Sequence, residues 1–414
     1  DTIAALRKLR EISGATFVVK RGPLGCSVFP EAIPDTLDEG ITVYGVKVAV
    51  LNVLGAGDAF MSGFLRGWIN EEPYEQCCRY ANACGAIVVS RHGCTPAMPT
   101  KVELDAYLSR ADQVPRPDMD ARLNRLHRVT TRKGEWPEVC VIAFDHRSQF
   151  VDMARDCGAS ADHIPYLKKL IAQAGERVAE EAGLEGKAGI LADGRFGEAV
   201  LEATTGRGWW IGRPVELPGS RPLEFEPGNN VGQELRSWPH EHVVKCLVFY
   251  HPDDDPILRL QQERKVMDIY EACCNSGHEL LLEVIPPAES ATDDETLARS
   301  LKRFYNLGVA PDWWKLPPPS PAAWKAITEV VTARDPYCRG VVLLGLSAPE
   351  DVLREGFNNA AGQPLCKGFM VGRTIWAEPC KAWLKEEADD AATVSAIANN
   401  YARIVTLWRE RKAN

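Results

Sequence analysis

Asp312–Pro318, DWWKLPP, sets bulky apolar residues around a single lysine and closes on prolines. A short apolar run stopped by turn residues reads as a buried strand, here with an amine at its C-terminal end. Seven further runs have the same make: VCVIAFDHR (139–147), KAGILADGR (187–195), GWWIGRPVE (208–216), HVVKCLVFY (242–250), HELLLEVIP (278–286), GVVLLGL (340–346) and GFMVGRTIW (368–376). Each is followed by a turn or polar loop and usually a helical segment, clearest in PYLKKLIAQAGERVAEEAG (165–183), ILRLQQERKVMDIYEACC (257–274) and ETLARSLKRFYNLG (295–308). Eight strands alternating with helices predict an α/β fold, a closed parallel (β/α)8 TIM barrel. An open doubly wound sheet competes, but eight units in roughly 240 residues match the usual size of the barrel better.

A barrel of this kind assembles its chemistry at the C-terminal strand ends. Those ends carry Asp145, His146 and Arg147, then Asp193 and Arg195, Lys245, Glu283, Lys315, and Gly372 with Arg373. Any one of them alone reads equally as a salt-bridged structural group; their recurrence at equivalent positions points to a site. Desolvation of Lys315 by tryptophans and prolines disfavours its ammonium form, and a neutral lysine can add to a ketone and form a Schiff base. Lys245 is a rival nucleophile or a cation that assists the other amine. Glu283 and Asp145 are the expected proton-transfer groups. Gly372 and Arg373 fall where barrels bind phosphate, and Arg147 and Asp193 are expected to contact the substrate or its phosphate. The eight histidines form no HxH or HxxxH cluster, so neither a metal site nor another cofactor is expected for the barrel chemistry.

Upstream, NVLGAGDAF (52–60) places two glycines and an alanine between a β-like run, ITVYGVKVAVLNV (41–53), and a helical one, AFMSGFLRGWIN (59–70). Gly55, Ala56 and Gly57 let an anion approach the main chain at a helix start. Asp58 beside that anion reads either as a general base or as a helix cap. The segment 111–138, ADQVPRPDMDARLNRLHRVTTRKGEWPE, is charged and punctuated by prolines and reads as a linker with one short helix. The expected organisation is therefore 1–110, a linker over 111–138, and a barrel over 139–414.

The 414 residues, 45% hydrophobic, suffice for two domains, and a net charge of -9 argues against a general nucleic-acid binder. The 13 scattered cysteines fit a reduced cytoplasm, and no signal peptide or bilayer-spanning run is expected. The chain opens DTIAALRKL, without Met and already in helical periodicity, so a piece of a longer protein is expected.

VKRGPLGCSVF (19–29), NVLGAGDAF (52–60) and YANACGAIVVSRHG (80–93) resemble the C-terminal part of ribokinase/PfkB-family sugar kinases, and within that family the 5-dehydro-2-deoxygluconokinases of inositol catabolism. The resemblance implies a partial ribokinase-like α/β segment before the barrel. It also implies Asp58 as catalytic base, an anion hole at Gly55, Ala56 and Gly57, Asn82 on the nucleotide side, and ATP with Mg as cofactors of the parent kinase. AFDHR (143–147), VVKCLVFY (243–250), LLLEVIP (280–286), DWWKLPPP (312–319) and FMVGRTIW (369–376) resemble class I tagatose-1,6-bisphosphate aldolases, departing at His146 and at the prolines after Lys315. That similarity implies Lys315 as Schiff-base lysine, with Lys245 and Glu283 beside it and phosphate at the last strand.

Together the two resemblances imply cleavage of a small phosphorylated keto sugar acid, 5-dehydro-2-deoxygluconate 6-phosphate, to dihydroxyacetone phosphate and malonate semialdehyde. The competing expectation is an idle barrel that binds a phosphosugar or oligomerises the kinase. Neither a nucleic acid nor a membrane is expected as partner; tryptophans and prolines near strand ends fit a pocket or the interface of a homo-oligomer.

Overall fold

The computed structural model describes residues 1–132 and 134–412 and falls into two units, Asp1–Lys133 and Gly134–Asn414. Among the described residues no helix is long and apolar enough to cross a membrane.

The first unit opens with α1 (Thr2–Ile12), whose first turn is capped by the Asp1 carboxylate accepting from Ile3 N. It continues into an antiparallel sheet of β1 (Phe17–Lys20), β2 (Cys26–Phe29) and β3 (Ile41–Val43). Two helices follow, α2 (Ala56–Ile69) and α3 (Tyr74–Val89). A Cβ on Gly63 of α2 would stand 2.6 Å from the Tyr80 carbonyl of α3, so these helices touch backbone to backbone and only glycine fits between them.

The β-like run 41–53 pairs as a strand only through Val43. Beyond it, Ala49, Leu51 and Asn52 donate single backbone bonds to the carbonyls of Pro115 and Val89, with no strand neighbour to extend the ladder. The stretch expected as a linker also folds in part with this unit. Asp120 caps a helix, Ala121–Thr131, and Leu123 on its apolar face packs in one core with Ile87, Leu104 and Tyr107. Dense charge between its buried positions hides that i, i+3 stripe in the sequence.

In the second unit eight parallel strands close into a barrel: β4 (Val139–Ala143), β5 (Ala188–Leu191), β6 (Trp210–Pro214), β7 (His242–Phe249), β8 (Leu280–Ile285), β9 (Trp313–Leu316), β10 (Gly340–Leu344) and β11 (Cys366–Val371), with β11 pairing β4. Every apolar run of the sequence supplies one strand. Alternation sorts each strand into two faces. Trp313, Leu281, Val243 and Val141 pack inside the barrel, whereas Trp314, Leu282, Val244 and Ile142 face the surrounding helices. Two residues beyond the inner apolar layer the same phase delivers Lys315, Glu283, Lys245 and, from β4, Ala143 and then Asp145. The apolar layer is thus the floor on which the charged one stands.

Candidate active site

In-register pairing sets Glu283 directly beside Lys315 across β8 and β9. Lys315 Nζ lies 3.1 Å from Glu283 Oε1, and Lys245 Nζ lies 3.0 Å from Glu283 Oε2. Lys245 also reaches Asp145 Oδ2 at 3.2 Å and donates to Glu216 Oε1 at 2.7 Å. These five side chains are buried, with Lys245 and Lys315 exposing 3% and 5% of their surface, yet all line one cleft of about 280 Å³.

The two lysines stand in different fields. Burial works against the Lys245 ammonium, but Asp145, Glu216 and Glu283 outweigh it and hold its pKa well above the usual lysine value. Lys245 is therefore a fixed cation. Burial also opposes ionisation of Glu283 and Asp145, and again the lysines prevail: Lys245 and Lys315 keep Glu283 below the usual carboxylate range, and Lys245, His146 and Lys315 do the same for Asp145. Both carboxylates are therefore ionised at neutral pH. Burial pushes His146 down to about 4, so its imidazole is neutral at pH 7.

The opposite wall comes from the ends of β10 and β11. Gly345, Leu346, Ser347, Gly372 and Arg373 line the cleft there. Leu346 and Ser347 both hold positive φ, 47° and 60°, a conformation costly for non-glycine residues and typical of ligand-binding turns. Thr374 Oγ1 donates to the Ala348 carbonyl at 3.1 Å, tying this turn to the helix Arg373–Leu384. The start of that helix, with exposed Arg373, suits a phosphate. Gly372 is required by space: a Cβ would lie 2.3 Å from the Ala143 carbonyl, which is itself held by Trp376 Nε1 at 2.9 Å. Gly372→Ala is accordingly expected to cost about 1–3 kcal/mol of stability and to weaken inorganic phosphate binding, read by urea unfolding and calorimetry. Unchanged values in both would show that the strand end has room.

The structure gathers Asp145, Arg147, Lys245, Glu283, Lys315, Gly372 and Arg373 around the cleft. It removes Asp193, which is fully buried, pairs with Lys168 and accepts from Phe196 N at 2.8 Å. Alternation would have aimed Asp193 inward, but β5 ends at Leu191 and the chain turns before reaching it. Arg147 lines the cleft with its guanidinium engaged by Glu216 at 3.2 Å and Glu226 at 2.5 Å. Glu216 was missed, although it ends the run GWWIGRPVE. It keeps the inward phase of Trp210 while lying two residues past β6, and it bridges Lys245 and Arg147.

In the first unit Gly55 has a left-handed φ of 78° and starts α2, and a Cβ there would strike Cys94 Sγ at 2.4 Å. Gly55, Ala56 and Gly57 thus form a side-chain-free helix start that fits an anion, with Asp58 exposed in the first turn. Asn82 does not join them. Its amide donates to the carbonyls of Val43 at 3.0 Å and Tyr44 at 3.1 Å, bracing the chain after β3.

Comparison with known proteins adds two families. The model for the pfkB family carbohydrate kinases matches residues 1–101, and residues 103–412 match the family described as "Uncharacterized protein conserved in bacteria (DUF2090)". The chain is 36% identical over 113 residues to "Probable fructokinase-6, chloroplastic" of Arabidopsis thaliana, covering 26% of this chain and 28% of that protein. It is 35% identical over 95 residues to 5-dehydro-2-deoxygluconokinase of Listeria monocytogenes, covering 23% of this chain and 28% of the kinase. The chain therefore spans less than a third of the length of these relatives. Fructose-bisphosphate aldolase of Plasmodium falciparum superposes with a TM-score of 0.50 at 10% identity, over 72% of this chain and 96% of the aldolase, a likeness of fold. Because the model of the DUF2090 family matches residues 103–412, three quarters of its length, the chain belongs to that family.

Proposed function

We propose that the barrel is a Schiff-base aldolase acting on a phosphorylated keto sugar acid. The observation that carries this reading is the contrast between two buried lysines on adjoining walls of one cleft. Lys245 is saturated by three carboxylates and locked as a cation, while among the described residues Lys315 forms one ion pair, with Glu283 at 3.1 Å. Glu283 takes a proton from the Lys315 ammonium; the free amine adds to the ketone. The same proton, returned to the carbinolamine hydroxyl, lets water leave and an iminium form. Asp145 then accepts the proton of the hydroxyl two carbons from the iminium carbon. The intervening C–C bond breaks, its electrons pass into an enamine, and an aldehyde departs. Protonation of the enamine and hydrolysis release the ketone product and restore Lys315.

Among the kinases similar to the first unit, that of Listeria monocytogenes is named for 5-dehydro-2-deoxygluconate, which supports its 6-phosphate as the substrate. Cleavage between C3 and C4 gives malonate semialdehyde and dihydroxyacetone phosphate, the phosphate resting at Gly372, Arg373 and the 345–347 turn. The first unit contributes the phosphate-facing helix start of a sugar kinase, with Asp58 in the position of its base; ATP with Mg would supply the transferable phosphoryl group in a complete kinase.

Incubation of the chain with the phosphorylated keto acid, followed by assay for triose phosphate and by borohydride trapping with peptide mapping, tests the proposal. A reduced adduct on Lys315 with triose phosphate release is expected; neither signal would sink it. Glu283→Gln should still reach the adduct on Lys315, but adduct formation and turnover should both slow by about 100- to 10,000-fold, because the amide shuttles no proton. Wild-type turnover in that variant would remove Glu283 from the chemistry.

A further inference from the structure

Behind the strand end that carries Asp145 lies an ion pair with no part in the steps above. Lys168, on the helix Ile164–Glu181, and Asp193, in the loop after β5, are both fully buried. The Lys168 ammonium pairs with Asp193 Oδ1 and donates to the carbonyls of Phe144 at 2.8 Å and His146 at 3.0 Å. Those three contacts use all three of its donors. The second Asp193 oxygen accepts from Phe196 N at 2.8 Å, which anchors the carboxylate in turn.

The two carbonyls held by Lys168 belong to the residues on either side of Asp145. Immediately upstream, Trp376 Nε1 holds the Ala143 carbonyl, and Phe144 N donates to the Leu191 carbonyl at 2.8 Å. The backbone that aims Asp145 into the cleft is thus clamped from outside the barrel just past the last residue of β4, where sheet pairing ends. A buried lysine is costly unless fully paired, and a well-packed apolar side chain would serve bare stability at least as well. What the ammonium adds is direction, since it fixes two peptide planes around one residue.

We propose that Lys168 and Asp193 form a positioning pair for Asp145, touching no substrate and setting where that carboxylate stands against Lys245 and Lys315. The inference rests on the reading of Asp145 as the proton acceptor in bond cleavage. A displacement of about 1 Å in such a group costs on the order of 100-fold in rate.

The test uses the full chain. Lys168→Met alone would leave Asp193 charged and unpaired in the interior, so the neutral double variant K168M/D193N keeps the fold readable by circular dichroism and thermal melting. Borohydride trapping at Lys315 should stay within about twofold of wild type, since imine formation uses Lys315 and Glu283, while cleavage slows about 100-fold with KM nearly unchanged. The acid limb of the cleavage profile should move to higher pH, because a displaced Asp145 loses part of the ammonium field that favours its anion. In an Asp145→Asn background the same pair of changes should cost only a fewfold more, as residues acting through one group are not additive. Wild-type cleavage in K168M/D193N, or an equal loss in the Asp145→Asn background, overturns the proposal. Should the wild-type chain cleave nothing, the aldolase reading fails separately, and a crystal structure of K168M/D193N decides the positioning claim. Separation of Asp145 from Lys245 beyond about 4 Å is the expected result; retention of the 3.2 Å contact refutes it.

Discussion

Lys315→Arg is expected to abolish both triose phosphate release and borohydride trapping while leaving the fold intact. The guanidinium keeps the charge opposite Glu283, so the 3.1 Å ion pair has a replacement, but it does not deprotonate and cannot add to a carbonyl. Loss of a covalent nucleophile should lower cleavage by at least about 10,000-fold. Lys245→Arg gives the control. The role assigned to Lys245 is that of a permanent cation among Asp145, Glu216 and Glu283, so an arginine there should keep trapping and reduce cleavage only through imperfect fit. Trapping that persists in Lys315→Arg and disappears in Lys245→Arg would exchange the two roles; wild-type cleavage in both would end the Schiff-base mechanism.

Lys245→Met is expected to destabilise the barrel by about 3–5 kcal/mol near neutral pH, because it removes the cation that three buried carboxylates share and leaves Glu283 to Lys315 and Glu216 to Arg147. The pH dependence should separate this cause from lost packing. In the wild type, Asp145 and Glu283 have folded-state pKa values below their unfolded ones. Their contribution to stability is therefore present above the unfolded values, near ~4, and lost as pH falls through the folded ones. Without the Lys245 charge, burial pushes both groups up and that contribution shrinks. The stability gap between wild type and variant should widen as pH rises from about 3 to about 7 in urea unfolding. A gap that stays constant would assign the loss to packing alone.

Much of the site was legible because a closed parallel barrel turns one-dimensional pattern into position. Once β9 is read from DWWKLPP, alternation puts Trp313 and Lys315 inside and Trp314 and Leu316 outside, as the inner and outer cores show. The same rule, applied to β7 and β8, places Lys245 and Glu283 on the charged layer. It fails where the strand stops short of the residue. Asp193 lies two positions past β5 and turns away to Lys168, whereas Glu216, also two positions past β6, stays in phase through a bridge to Phe225 and enters the site. Asn82 shows the same limit in the first unit, where its amide braces the chain after β3.

Strand number, the strand-end positions of the lysines, Glu283 and Asp145, and the glycine-lined helix start were determined by the sequence alone, because periodicity and turn chemistry act over a few neighbouring residues. Which lysine is a fixed cation was decided only by the tertiary structure. That depends on how many carboxylates converge on one ammonium from β4, β6 and β8, and electrostatic energy follows distance in space and burial, neither of which is written along the chain.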